Sequence, residues 1–232
     1  NQRCVNCHVE GSPGIVEQWK TSQHATMGVG CIECHRAEDS DVDAYRHEGA
    51  VIATVVTPRD CARCHASIVE EFEHSHHAKA GQILGSLDNV LGDIVEGPAA
   101  VASGCKQCHG ATVAFLKTEA GEVRRTTAGI PMLDPDTWPN TGIGRINLDG
   151  STGTCSACHS RHAFSTKVSR QPDNCGKCHM GPDHPQIEVY NESKHGIAFR
   201  AHIDEMALDS KTWVVGEDYT AAPTCATCHM SA

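Results

Sequence analysis

The chain has 232 residues and a formal charge of −10; 39% of its residues are hydrophobic and only 4% aromatic, and it carries fourteen cysteines and sixteen histidines. That length allows one or two domains, the aromatic content is thin for a self-sufficient core, and the acidity argues against a nucleic-acid partner and suits small cationic partners or simple solubility. No run approaches the roughly 18 apolar residues that span a bilayer, so no transmembrane segment is predicted.

In chain order the cysteines fall into seven Cys-x-x-Cys-His motifs. They are Cys4, Cys7 and His8; Cys31, Cys34 and His35; Cys61, Cys64 and His65; Cys105, Cys108 and His109; Cys155, Cys158 and His159; Cys175, Cys178 and His179; and Cys225, Cys228 and His229. One such motif would also fit a zinc site, a dithiol redox pair or disulfides. Seven, each with histidine next and no cysteine left over, point to covalent haem c: two thioether sulfurs per porphyrin and the adjacent imidazole on the iron. Seven haems leave roughly 33 residues apiece. The expected fold is therefore mainly α with long loops and little β, a single multihaem cytochrome c domain over 1–232 wrapped around a closely packed haem array. The apoprotein should not fold, because removing the haems removes the core. Covalent haem attachment occurs outside the cytoplasm in bacteria, so a periplasmic or extracellular location is predicted. Asn1 stands three residues before the first haem cysteine, as in a processed or trimmed start.

After the first motif, Gly14 to Met27 reads as one helix following Pro13, with Ile15, Trp19 and Ser22/Gln23 on one stripe. His24 closes it within Ser22-Gln23-His24-Ala25. The pattern Ser-x-His-Ala/Gly recurs around His77, His162 and His195. Nine histidines remain beyond the seven motif histidines, and neutral imidazole is a good sixth ligand for iron, so these four are candidate distal ligands. A helix continuing from Cys61 through Glu70 to Ala80 would put His77 about 18 Å beyond His65 along its axis. His162, three residues after His159, would share its helical face. Neither could then serve its own segment's iron, so distal ligands should come from other segments. His47, alone in an extended loop, is a fifth candidate; His74 and His76 are spare, at least one of them a surface residue.

From Ala78 to Cys158 the only histidine is His109. That stretch holds a possible hairpin, Thr112–Thr118 with Glu122–Thr127 about Ala120-Gly121, and a Pro/Gly/Asn/Asp-rich loop from Ile130 to Gly153. The fourth haem, in histidine-poor sequence, is the one expected to keep an open axial position. Beyond His179 a helix is expected from about Gln186 to His202. Met180 and Met230 read as packing residues, and Tyr45, Tyr190 and Tyr219 as structural.

The order of motifs resembles the hydroxylamine oxidoreductase family of octahaem cytochromes c. The resemblance is carried by Cys4-Val-Asn-Cys-His8, Pro13-Gly-Ile-Val-Glu-Gln-Trp19 and Ser22-Gln-His-Ala25. Further on it is carried by Cys155-Ser-Ala-Cys-His-Ser-Arg-His-Ala-Phe-Ser165, Cys175-Gly-Lys-Cys-His-Met-Gly-Pro-Asp-His184, Ser193-Lys-His-Gly196 and Ala222-Pro-Thr-Cys-Ala-Thr-Cys-His-Met230. It implies that the fourth haem, on His109, is catalytic and faces an Asp-His pair, here Asp183 and His184. His184 would exchange protons and Asp183 would orient it. The family's eighth motif and C-terminal helices have no counterpart before Ala232, and no residue matches the cross-linking tyrosine of the oxidative members. A fragment or shortened relative is therefore expected, running reductively on nitrite or hydroxylamine. His109, where pentahaem nitrite reductases use lysine, weighs against that neighbouring family. Redox partner proteins, other multihaem cytochromes or copies of itself, and a small nitrogen substrate are the implied partners. The alternative is a pure electron-transfer cytochrome, or one unit of an extracellular haem wire. Nine spare histidines are enough to make all seven irons six-coordinate.

Overall fold

The computed structural model describes residues 1–82, 104–182 and 184–230. The chain is mainly helical with few strands, as expected. Among the described residues the α-helices are α1 (Gln2–Gly11), α2 (Pro13–Lys20), α3 (Gln23–Thr26), α4 (Cys31–His35), α5 (Pro58–His74), α6 (Lys106–His109), α7 (Thr166–Ser169), α8 (Pro172–Gly176), α9 (Gln186–Glu192), α10 (Lys194–Ala201) and α11 (Cys225–His229). Strands β1 (Tyr45–His47) and β2 (Ala50–Ile52) form one antiparallel pair. The described residues gather into two compact units: Asn1–Gly11 with Gly28–Ala157, and Ser12–Met27 with Cys158–Ala232.

In the first unit the opening residue ties the first two motifs together. The Asn1 side-chain amide donates to Glu33 Oε2 at 2.9 Å, and its Oδ1 accepts the Ile32 N–H at 3.1 Å. Gly30 makes the approach possible: a Cβ there would stand 2.1 Å from Asn1 Cγ. The β1–β2 hairpin turns on Glu48 (φ 49°) and Gly49 (φ 80°), the two left-handed residues that a tight hairpin loop requires. His47 therefore ends a strand and does not lie in an extended loop. Helix α5 starts where Pro58 fills its first position and Asp60 Oδ2 accepts the Thr57 N–H at 2.8 Å, satisfying one of the orphan donors of a helix start.

The expected hairpin after the fourth motif is present in part. Gly121 (φ 83°) turns the chain and Thr118 N–H donates to the Glu122 carbonyl at 2.8 Å. The segment 130–134, read as loop, joins it. Leu116 N–H donates to Met132 O, Met132 to Arg124 O and Arg124 to Leu116 O, at 2.8–2.9 Å, closing a ring of three extended segments. The following residues fold back on the fourth motif, with Ile143 N–H on Cys108 O and Gly144 N–H on His109 O. Arg145 is 2% exposed and is held by Val56 O (2.9 Å) and Asn147 Oδ1 (2.6 Å), with its guanidinium 5.4 Å from the Trp138 ring centre.

The second unit holds an apolar cluster of Phe199, Met206, Leu208, Tyr219 and Ala222. Trp213 stacks on Tyr219 at 4.5 Å, and the Arg170 guanidinium lies 5.0 Å over Trp213. Fully burying such side chains contributes about 1.5–3 kcal/mol each, so five of them cannot organise a chain of this length. Met180 and Met230, read as packing residues, are 55% and 61% exposed against the polypeptide.

Three helix spans differ from the sequence reading, each at a serine. The helix from Gly14 breaks at Ser22, the one from Cys61 ends at His74 before Ser75, and Gln186–His202 is two helices split at Ser193. Helix α5 is also kinked at His65 (φ −114°, ψ 42°), so the straight-axis measure to His77 does not describe this chain. No α-helix carries His159 and His162. Cys155–Ala157 is a short 3₁₀ turn, and the next α-helix starts at Thr166.

Candidate haem-binding and redox site

All fourteen cysteines stand as thiols, half-buried or exposed, so that each can be reached by a porphyrin vinyl group. The first cysteines of different motifs lie within hydrogen-bonding reach of one another: Cys4 with Cys31, Cys61 with Cys155, and Cys175 with Cys225. These first-position sulfurs thus gather in twos. Among the described residues no group of three or more His, Cys, Asp or Glu stands close enough to hold a metal ion. The thiol contact from Cys61 brings the Cys155 thiol down to about 7, aided by its backbone N–H contact and by Arg145. Cys225, at the start of α11, is likewise brought to about 7 by Cys175. Burial chiefly raises Cys31 and Cys34.

The spacing treats the two cysteines of a motif as equivalent, and the structure separates them. Cys7 on α1, Cys64 on α5 and Cys228 on α11 are exposed, while their motif partners Cys4, Cys61 and Cys225 are half-buried. In these three motifs the second thiol, three residues or about 4.5 Å further along a helix, lies beyond the contact made by the first. In the second, fifth and sixth motifs both cysteines are half-buried. Cys178 lies just beyond α8, is half-buried like Cys175, and donates its N–H to the Cys175 carbonyl at 3.1 Å. The fourth reverses the order, with Cys105 exposed and Cys108 half-buried.

The proximal histidines follow the second cysteines. His35 shows how one is oriented, its Nδ1 lying 2.9 Å from the Ala53 carbonyl. With that nitrogen donating, Nε2 is left as the metal-binding atom. Reachable thiols with their first members paired, an oriented imidazole and a polypeptide core of few side chains together fit covalent haem c.

Two imidazoles on one iron place their ring centres about 6 Å apart, given metal–nitrogen bonds near 2 Å. The His8 and His47 rings are 6.2 Å apart at 62°, with Arg3 and Glu48 pairing beside them at 3.2 Å. Of the other candidate distal ligands, His24 lies edge-on to Phe164 at 5.3 Å, and Gln18, from the same helix pair, accepts the His162 N–H at 3.2 Å. The segment after the first motif is therefore folded against the segment after the fifth, within one unit. His77 is half-buried and His195 exposed. His74 and His76 are exposed, with His74 Nδ1 2.7 Å from its own Glu70 carbonyl.

Of the expected catalytic residues, Asp183 lies outside the described residues. His109 belongs to the first unit and His184 to the second. The His184 ring stands 6.4 Å from that of His179. That span is close to the one between His8 and His47. Ile187 N–H returns to the His179 carbonyl at 3.1 Å and Gly181 turns at φ 80°, so the few residues between the two imidazoles fold back on themselves. Tyr190 donates to the Pro223 carbonyl at 3.0 Å and is pushed up to about 12 by burial. Tyr219 Oη pairs with Thr227 Oγ1 at 2.7 Å. Both have the structural roles expected of them.

A family described as "Seven times multi-haem cytochrome CxxCH" matches residues 147–232, and "Cytochrome c554 and c-prime" matches residues 1–36 and 60–128. Over 98% of its length the chain is 28% identical to a "Probable nitrite reductase-hydroxylamine oxidoreductase fusion protein" of Kuenenia stuttgartiensis, of which it covers 25%. A solved "reducing HAO-like protein complex" of the same organism aligns at TM-score 0.63 and 25% identity over 99% of this chain and 41% of that one. The chain belongs to the hydroxylamine oxidoreductase-like multihaem cytochromes c. This HAO-like cytochrome also aligns with a solved "Hypothetical multiheme protein" at TM-score 0.83 and 34% identity, over 99% of its own length and 52% of that chain. It is 26% identical to the C-type polyheme cytochrome OmcC of Geobacter sulfurreducens over 75% of its length and 22% of that protein. It thus spans about a quarter of the curated relatives it matches and about half, or less, of the solved ones. Among its described residues no helix is long and apolar enough to cross a membrane.

The Ser-x-His-Ala/Gly pattern singles out Ser22, Ser75 and Ser193 in the sequence, but the expected helices run through them in this HAO-like cytochrome. A signal was present: an aromatic residue stands three positions before each, Trp19, Phe72 and Tyr190.

Proposed function

We propose that the chain carries seven haems c and relays electrons through haem pairs one/two, three/five and six/seven to the fourth, where a hydroxylamine- or nitrite-type compound is reduced. The observation that carries the relay is the contact of first cysteines across those motifs, because two thioether sulfurs side by side set two porphyrin edges side by side. The exposed thiols of Cys7, Cys64 and Cys228 would be open to the second thioether bond of their haems. Haem c supplies one-electron redox chemistry and, where an axial position is open, a Lewis-acid site for nitrogen. His47 serves as the second ligand opposite His8, supported by the 6.2 Å ring separation. His24, His77, His162 and His195 serve other irons. His184 holds and delivers protons at the open site, and Asp183 orients it. The names of the Kuenenia relatives support the nitrogen chemistry.

The partners are redox proteins, other multihaem cytochromes or copies of this chain, met in the periplasm or outside the cell. A low-temperature spectrum of the ferric holoprotein, paired with a dye-linked hydroxylamine or nitrite assay, tests the reading. One high-spin haem in seven, with activity lost in His184→Ala, is the expected result. A wholly low-spin spectrum without turnover would make the chain a pure electron conduit with all irons six-coordinate.

A further inference from the structure

Serine carries one donor and two acceptor lone pairs, and at three places this chain uses both functions in the same way. Ser22 Oγ donates to the Trp19 carbonyl at 2.6 Å and accepts the Ala25 N–H at 3.1 Å. Ser75 Oγ donates to the Phe72 carbonyl at 2.6 Å and accepts the Ala78 N–H at 3.2 Å. Ser193 Oγ donates to the Tyr190 carbonyl at 2.7 Å and accepts the Gly196 N–H at 3.2 Å. Each hydroxyl therefore closes the last turn of one helix and caps the turn that follows, and the histidine sits two positions after the serine in every case. The small residue after that histidine packs against the helix just ended. A Cβ at Gly196 would stand 2.2 Å from the Tyr190 carbonyl oxygen, and Ala78 is 0% exposed.

The units are also in register with the haem motifs. In the first and sixth segments the aromatic residue, the serine and the second histidine stand eleven, fourteen and sixteen positions after the motif histidine (His8 to Trp19, Ser22 and His24; His179 to Tyr190, Ser193 and His195). In the third segment each stands four positions earlier (His65 to Phe72, Ser75 and His77), about one helical turn less. A preference for ending helices would not keep an aromatic residue, a serine and a histidine at fixed spacings while the residues between them change. The fourth Ser-x-His-Ala occurrence has other geometry: Phe164, at φ 46°, donates its N–H to the Ser160 carbonyl at 2.8 Å.

From this repeated geometry we infer that Ser22, Ser75 and Ser193 are positioning residues, holding His24, His77 and His195 at one fixed attitude for axial ligation. The inference rests on the reading of those histidines as distal ligands. The hydroxyl acts through the backbone. It pins the two helical pieces at a set angle, so the imidazole is presented without the entropy loss that a freely jointed break would impose on ligation.

The test uses ferric holoprotein variants with the covalent haem count verified, read by high-spin fraction and by the rate of cyanide binding. His195→Ala should open one further haem to cyanide, beyond the fourth. Ser193→Ala should keep that haem low-spin but speed cyanide binding to it by about five- to tenfold, the equivalent of a lost cap. Ser193→Thr, which keeps the hydroxyl, should restore the slow rate. If His195→Ala opens no haem, the distal-ligand reading fails and the inference goes with it. If His195→Ala opens one while Ser193→Ala leaves the cyanide rate unchanged, only the positioning role is overturned. A lower melting temperature alone would count as that same outcome. Should Ser193→Ala yield no holoprotein, Ser22→Ala with His24→Ala gives the same comparison at the first unit.

Discussion

A methyl group placed at Gly142 would stand 2.1 Å from the Gly110 backbone nitrogen, and one at Gly30 would stand 2.1 Å from the Asn1 side chain. The distances are equal and the consequences differ, because a side chain can swing away and a peptide cannot. Gly30→Ala is expected to break the Asn1 hydrogen bonds to Glu33 and Ile32 and to cost about 1–3 kcal/mol, as overpacking does. Gly142→Ala should cost more and should disturb the fourth motif, whose C-terminal glycine is the residue struck. Thermal melts of the two holoproteins rank them, and equal melting temperatures would contradict the distinction. At the same scale, His47→Ala is expected to leave the number of attached haems unchanged and add one high-spin ferric signal. An unaltered low-temperature spectrum would remove His47 from the ligand set. His47 was legible as a candidate from histidine excess alone. Its partner His8 was not, because pairing depends on a hairpin whose turn is a single Glu-Gly step. The unequal exposure of Cys7, Cys64 and Cys228 against their motif partners was equally hidden, since it depends on which sulfur meets another motif and spacing says nothing of that.

Among the elements, α5 shows what local sequence can do. Pro58 at its start and the Asp60 carboxylate on the Thr57 N–H define its first turn before any tertiary contact, and Asp60 also meets Arg63 at 2.8 Å. Asp60→Ala should lower stability by about 1 kcal/mol, the usual worth of a helix-start partner, measurable as a reduced denaturation midpoint with haem content unchanged. Arg63 in turn donates to the Arg36 and Glu33 carbonyls at the end of α4, which fastens the second motif to the third. The seven haem motifs and the helical class were readable because they are written in residue identity and composition. The breaks at Ser22, Ser75 and Ser193 were not, since apolar periodicity runs through them and one hydroxyl decides the outcome. The ring of extended segments about Leu116, Arg124 and Met132 was half-readable. Gly121 announces its first turn, while the third segment looks like loop because Pro131 and Asp134 flank it.

At the scale of the molecule, the described residues bury few large apolar side chains, and Ile68, Val189, Val215 and Met27 among others are more than 60% exposed against protein alone. Haem therefore substitutes for core. Expression without the machinery that attaches haem c should yield a chain degraded rapidly by protease, whereas the holoprotein resists. Equal resistance would mean that the protein part folds unaided. The proposed catalytic residues are the least legible at this scale: His109 and His184 belong to different units and Asp183 lies outside the described residues.

The contact between Cys61 and Cys155 has a consequence in time. The two residues are 94 positions apart and the fourth motif lies between them, whereas Cys4–Cys31 and Cys175–Cys225 close shorter stretches. Synthesis delivers the chain N-terminus first, so the whole loop bearing Cys105 and Cys108 emerges before its two ends can meet. Closing a longer loop costs only slightly more entropy, so the closure is delayed by order of arrival and not by weakness. The fourth motif therefore stands open to haem attachment for as long as Cys155 has not followed it to the compartment where attachment occurs. Cys155→Ser should accordingly leave the fourth haem attached, whereas a variant hastened to close early would be born without it.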